Sequence, residues 1–222
     1  MAVYLLDEDL WFPPPSGAEE DGMLAVGGDL SPERLLLAYT NGIFPWYNED
    51  TQIMWWCPKE RFVIFPSEIV ISKSMKKFMR KTDLVITMNQ DFPGVIHNCR
   101  KLRENQEGTW ITDGMEDAYN EMYELGFGVS IEVWKPDAEK DGNAELVGGL
   151  YGLAIGRCFF GESMFSKVAN ASKLALIYLA KRLEKMHFEW IDCQFHTDHL
   201  ESMGGRYISY EEYMEKLTKA LQ

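Results

Sequence analysis

Residues 148–172, GGLYGLAIGRCFFGESMFSKVANAS, leave this chain few ways to fold. Two short apolar runs, a glycine-flanked acid at Gly161-Glu162-Ser163 and a helix start at Asn170 follow in quick succession. One helix later comes Ile191-Asp192-Cys193-Gln194, a further strand end able to lie beside the first two. Apolar strands with a Glu, an Asp and a Gln near their ends outline a greasy pocket with a few polar groups, the profile of a small-molecule or side-chain site. The order strand, strand, helix, strand from Leu146 to Cys193 predicts an α+β domain whose sheet is covered by helices.

The rest of the chain supplies elements around that unit. A triple proline at 13–15 and a glycine-rich loop ending Gly27-Gly28-Asp29 precede a well-marked helix. Ser31 caps it, Pro32 opens it, Glu33 suits its positive end and Gly42 can stop it. Phe44-Pro45-Trp46-Tyr47 and Trp55-Trp56-Cys57-Pro58 follow, with packing and ligand contact both open to these aromatics. Pro58 marks the expected end of a small N-terminal domain. Strands are expected at Arg61–Phe65, Ile69–Ile71, Leu84–Met88, Gly128–Trp134 and Phe188–Cys193. Asp91 is expected to cap a helix with Val95, Ile96, Cys99 and Leu102 inward and Arg100, Lys101 and Arg103 at its negative end. Another helix runs from about Gly114 to Leu125. Residues 135–145 carry hairpin or long-loop signals. Asn170 caps a helix with Leu176, Leu179, Leu183 and Met186 on one face, and Ser209 and Glu212 box the start of the last one, with Tyr213, Met214, Leu217 and Leu221 inward.

Charge is distributed unevenly. The net charge is −13, which alone argues against nucleic acid, yet residues 1–60 carry −9, residues 61–110 carry +4 and residues 111–222 carry −8. Much of the positive segment is SKSMKKFMRK, where Met75, Phe78 and Met79 keep helical spacing and Lys73, Lys76, Lys77, Arg80 and Lys81 cover the other sides. Such a helix is either an ordinary solvated surface or a phosphate-backbone contact. A Debye length of about 8 Å lets a local patch attract phosphate despite distant acid. The acidic remainder equally suits a basic partner. No cationic leader or long apolar run is present, so no membrane span is expected, and four scattered cysteines point to a reducing, cytosolic setting.

Several chemistries are disfavoured. The GxSxG elbow and the GxxxxGKS phosphate loop are absent, as is the pyrophosphate loop of acetyl-CoA enzymes. Cys193, His196 and His199 have the look of a metal cluster but would need a fourth ligand and a second shell, so no metal is expected. Glu162, Asp192 and Gln194 remain. Glutamine is no base near neutral pH and can only orient or polarise, and Asp192 could accept from its side-chain amide.

At this point the segments DGMLAVGGDLSPERLLLAYTNGIFPWY, MWWCP, SKSMKK, GTWIT, LVGGLYG, FFGESMFS, NASK and IDCQ, with His199-Leu200, fall into one order over nearly the whole chain. In these the sequence closely resembles the bacterial leucyl/phenylalanyl-tRNA–protein transferases. The resemblance implies a small N-terminal α/β domain, residues 1–60, and an acetyltransferase-like (GNAT-type) domain, residues 61–222, with a mixed sheet flanked by helices. It implies a cytoplasmic enzyme, without metal or nucleotide cofactor, that moves Leu or Phe, less often Met, from Leu-tRNA or Phe-tRNA to the α-amino group of proteins beginning with Arg or Lys. The product is a destabilising N-terminus in the N-degron pathway. By the same resemblance Asp192 polarises Gln194, which orients or activates the amine, and Glu162 receives the cationic acceptor. Leu150, Phe159, Leu176, Leu179 and Ile191 line the side-chain pocket. Trp46 and Trp110 flank the terminal adenosine, and Lys73, Lys76, Lys77, Arg80 and Lys81 contact the acceptor-stem backbone. DNA and membrane partners are not expected, and a monomer is. Two departures stand out: Cys57 where Ser is commoner, and a loop at 136–144 longer than usual. A non-catalytic binder of the tRNA 3′ end is the other expectation compatible with these features.

Overall fold

The computed structural model describes residues 3–104, 109–136 and 144–222. In chain order its elements are β1 (Tyr4–Leu6), β2 (Met23–Gly27), α1 (Pro32–Thr40), β3 (Phe44–Pro45), β4 (Met54–Trp56), β5 (Glu60–Ile64) and α2 (Lys73–Met79). They continue with β6 (Val85–Met88), α3 (Phe92–Glu104), α4 (Asp113–Glu124), β7 (Gly128–Pro136), β8 (Ala144–Ile155) and β9 (Cys158–Ser166). The chain ends with α5 (Ala171–Lys185), β10 (Trp190–Asp192), α6 (Asp198–Glu201), β11 (Arg206–Ser209) and α7 (Tyr210–Ala220).

Two sheets form. The N-terminal strands make a four-stranded sheet in the order β1-β2-β4-β3, and the rest a seven-stranded mixed sheet in the order β11-β5-β10-β9-β8-β7-β6. This is an α+β arrangement with sheets flanked by helices. Side chains alternate across the larger sheet, as the two-residue period of a strand requires. Phe159, Leu150 and Ile191 fall on one face against α5 and Met75 of α2. Phe160 and Tyr151 fall on the other, against α3, α4 and the N-terminal residues. α5 packs along its face of the sheet: Ala171, Leu174, Ala175, Leu176, Ile177, Leu179, Ala180 and Leu183 are all buried, while Lys181, Arg182, Glu184 and Lys185 are exposed. Among the described residues no helix is long and apolar enough to cross a membrane.

Local chemistry explains most boundaries. Ser31, Ser72, Thr112 and Ser209 accept hydrogen bonds from the backbone N–H three residues on, opening α1, α2, α4 and α7. Gly94 N–H donates to Asp91, which opens α3 as expected. Other expectations change. Glu162 does not follow two short strands but lies inside β9, which with β8 forms a long hairpin broken by a register shift at Tyr151 and Gly152. Gly152 is needed at that break, since a Cβ there would lie 2.0 Å from the Phe160 carbonyl oxygen. Ile69–Ile71 is not a strand: Pro66 starts a 3-10 turn and leaves the segment extended, held by Val70 N–H to Met203 O at 2.9 Å. Asn170 stands at the start of α5 in the left-handed region, φ 69°, and its side chain caps nothing. Ser166 Oγ accepts from Ser172 N–H instead, at 3.2 Å. Met186 lies beyond the end of α5 and is exposed. β1 and β2 arise where only proline and glycine punctuation was legible. The hairpin or loop expected at 135–145 begins and ends as a hairpin, with Pro136 opposite Ala144, while residues 137–143 lie outside the described residues.

Candidate functional site

The parallel ladder between β10 and β9 ends where Asp192 faces Phe160. Beyond it the strands part, and a cavity of about 800 Å³ opens in the fork. All five expected side-chain-pocket residues, Leu150, Phe159, Leu176, Leu179 and Ile191, line it. Trp46 and Trp110 line it too, Trp46 exposed and held edge-on by Trp56 and tilted against Phe195 at 5.2 Å. Glu162 and Gln194 face the cavity from the two arms of the fork, which is what strands splaying just before these residues must produce.

Glu162 sits in a cradle of phenols. Tyr39 from α1 donates to Oε1 at 2.8 Å, Tyr119 from α4 donates to Oε2 at 3.0 Å, and the two phenols touch each other. Among the described residues no cation neutralises the acid, so burial raises its pKa to about 7, with the hydroxyls opposing that shift and the Asp192 charge adding to it. Burial, with Glu162 beside them, also pushes both phenols well above their usual range, so they act as fixed donors.

Asp192 is placed differently. It is fully buried and does not line the cavity. Its Oδ1 accepts from the Gln194 backbone N–H at 2.9 Å, and its Oδ2 accepts from Tyr213 at 2.7 Å and faces Arg61 at 3.4 Å. The expected contact between Asp192 and the Gln194 side-chain amide is therefore replaced by one to the backbone. The reason is conformational. Gln194 has φ 57°, a left-handed state costing roughly 1–2 kcal/mol for a residue with a Cβ. An aspartate two residues earlier stabilises such a turn by accepting the following N–H. The turn sends the Gln194 side chain toward Glu162 rather than back to Asp192.

Hydrogen bonding decides which end of the Gln194 amide faces Glu162. With its nitrogen toward Glu162 it makes one long hydrogen bond of 3.4 Å. Turned over, the nitrogen donates to Cys193 O at 3.0 Å and Gly161 O at 2.8 Å. The second satisfies more groups at better distances. It leaves the amide oxygen and a Glu162 oxygen facing each other, an arrangement that suits a proton or an amine placed between them.

Arg61, Tyr213, Tyr39 and Tyr119 were not singled out from the sequence. A lone arginine opening a strand reads as a surface charge, and Tyr213 reads only as part of an apolar face. The available signal was weaker: tyrosines on the inner faces of helices must find partners for their hydroxyls. The basic residues Lys73, Lys76, Lys77, Arg80 and Lys81 are all exposed, and among the described residues none of them makes an ion pair. Beneath them Met75, Phe78 and Met79 pack into the same apolar cluster as Leu150, Leu176 and Leu179 of the cavity wall. Cys193, His196 and His199 do not converge. Among the described residues a different trio does, His196 with Asp198 and Glu201, and His196 pairs with Glu201 at 3.0 Å.

Comparison with known proteins matches residues 63–218 to the family described as leucyl/phenylalanyl-tRNA protein transferase and residues 28–59 to that family's N-terminal domain. A leucyl/phenylalanyl-tRNA–protein transferase of Syntrophus aciditrophicus is 49% identical over 100% of this chain and 90% of its own length. One from Flavobacterium johnsoniae is 51% identical over 97% of this chain and 99% of its own. L-PGS from Bacillus licheniformis, a solved structure, aligns with 89% of this chain and 63% of its own at 11% identity and a TM-score of 0.42, too loose a likeness to support inference. With both segments matched and half of all residues shared across full-length relatives, the chain belongs to the leucyl/phenylalanyl-tRNA protein transferase family.

Proposed function

We propose that this protein transfers leucine or phenylalanine, less often methionine, from aminoacyl-tRNA to the α-amino group of proteins beginning with Arg or Lys. The observation that carries the reading is the juxtaposition in one cavity of an apolar slot with Glu162 and the Gln194 amide oxygen. The slot takes the esterified amino acid through Leu150, Phe159, Leu176, Leu179 and Ile191. Trp46 and Trp110 flank the adenosine that carries it, and the α2 ridge meets the acceptor-stem phosphates.

An aminoacyl ester is already activated, so the protein's task is alignment and proton removal. The acceptor's α-ammonium has a reference pKa of about 7.7–8.0, close enough to that of Glu162 for proton transfer to be nearly balanced. Glu162 takes that proton while the Gln194 oxygen accepts a second N–H, holding the amine lone pair toward the ester carbonyl. The amine adds to that carbonyl, and as the tetrahedral intermediate collapses the ester C–O bond breaks, the nitrogen sheds its extra proton to the departing 3′ oxygen of the tRNA, and the peptide bond forms. Asp192 supports the step from behind by holding the Gln194 turn. The acid-rich surface suits a basic N-terminus. We further read the chain as a cytoplasmic monomer with an acetyltransferase-like layering, divided near residue 60.

The test is a transfer assay with charged Leu-tRNA and two peptides differing only in their first residue. Product is expected from the Arg-initiated peptide and not from the Met-initiated one. Equal labelling of both would defeat the acceptor assignment, and binding of Leu-tRNA without any product would leave a 3′-end binder.

A further inference from the structure

Arg61 lies behind both walls of the pocket and is 1% exposed. Its two terminal nitrogens and its planar surface are engaged, while Nε is buried without a hydrogen-bond partner among the described residues. One nitrogen donates to the Gly42 carbonyl in the turn after α1, another faces Asp192 Oδ2 at 3.4 Å, and its Cζ lies over the ring of Phe44 at 4.8 Å and over that of Tyr213 at 4.5 Å. Phe44 leads directly into Pro45 and Trp46, and all three line the cavity. Asp192 leads through its Oδ1 to the Gln194 turn on the opposite wall. One side chain thus joins the aromatic wall, where the tRNA end is read to lie, to the turn that meets the incoming amine.

A buried ion pair of this kind is a weak source of stability, since apolar groups of the same volume often do as well. Its geometry is harder to replace. A guanidinium offers a rigid planar fork with two stacking faces, whereas an ammonium offers a single point of charge. We propose that Arg61, seconded by Tyr213, is a positioning residue for the transfer step, setting the distance between the aromatic wall and the Gln194 turn. The proposal rests on the transferase reading given above.

Its consequence is a split between binding and rate. Each substrate meets its own wall, so losing the link leaves each one bound but presents it to the other out of register. A misplacement of about 1 Å is enough to cost on the order of 100-fold in rate.

Arg61→Lys, Arg61→Met, Tyr213→Phe and the double variant Arg61→Met with Asp192→Asn are assayed beside the unaltered protein. Each is measured with charged Leu-tRNA and the Arg-initiated peptide at a temperature where circular dichroism shows it folded. Arg61→Lys keeps the charge and leaves Asp192 intact, so its losses belong to the lost fork. We expect its kcat to fall about 100-fold with peptide KM changed less than about threefold. Tyr213→Phe should show the same split at about tenfold. Arg61→Met alone strands the Asp192 charge and is expected to lower the urea midpoint. The double variant removes both charges while Asn still accepts from the Gln194 N–H, so it should regain that midpoint yet stay about 100-fold slow. If the folded double variant or Arg61→Lys turns over like the unaltered protein, Arg61 only holds the fold and the proposal is overturned. If the unaltered protein itself forms no product, the transferase reading fails and this role falls with it.

Discussion

Two carboxylates stand at the fork between β9 and β10, and their surroundings differ in one respect that decides their chemistry. Asp192 has a guanidinium, a phenol and a backbone N–H, and turns its charge inward. Glu162 has two phenols but, among the described residues, no cation, and faces the cavity. Hydroxyls alone do not offset the desolvation of a carboxylate, so Glu162 is driven up to about 7. Arg61, next to Asp192, is pushed above its ordinary range: burial, the largest single influence, works against its charge, and Asp192 together with the neighbouring Tyr213, Cys57 and Cys158 outweighs it. Buried acid is therefore not one category here. The acid with a cation serves as frame, and the acid without one is poised to exchange a proton.

Breaking the frame gives the largest expected effect. Asp192→Ala leaves Arg61 buried without a counter-charge and Gln194 without its turn partner, a loss of about 3–5 kcal/mol in urea unfolding. Turnover per folded molecule should fall far more than tRNA affinity. Filter binding that weakens as much as single-turnover rates would erase the distinction between the two acids.

Changing the poised acid comes next. A group whose folded pKa is raised binds protons more tightly in the native state, so its contribution is full below the unfolded value and is lost as pH rises through the folded one. For Glu162 that window runs from 4.5 to about 7. Because the side chain borders the cavity, water tempers the penalty, and we expect roughly 2 kcal/mol of stability to go between pH 5 and pH 8. Glu162→Gln should not lose it. The same substitution should remove the limb of the rate profile that climbs through pH 7 as the carboxylate forms. A limb that survives the change would assign the proton to another group.

The smallest effect lies outside both acids. Lys76→Glu with Lys77→Glu should weaken tRNA binding and lower its salt slope by about 2. The pH limb and the preference for an Arg-initiated peptide should stay as they were. An unaltered slope would take α2 out of the interface.

How much of this the chain displays in advance depends on the range of the physics. The pocket wall was legible because Leu150, Phe159 and Ile191 sit in apolar strands and Leu176 and Leu179 keep helical spacing, all local signals. Glu162 and Gln194 stood out as polar residues in such company. Their partners did not, because Tyr39 lies 123 positions from Glu162, and Tyr213 reaches Asp192 from the last helix. No window of neighbours contains those pairs. Ile69–Ile71 misled in the opposite way, since its apolar residues are dictated by packing and not by a ladder. Asn170 has the right residue type for a cap but the wrong backbone to use it.

Gly148 carries a last consequence. A Cβ there would come within 2.4 Å of the Ala171 Cβ, so the first turn of α5 rests directly on the strand beneath it. That helix supplies Leu176 and Leu179 to the slot, and its seating sets the bore available to an amino acid side chain. The gauge of the slot is thus governed from outside the cavity lining, and on the proposed reading the selection of an amino acid can drift through residues that would never be counted among those that recognise it.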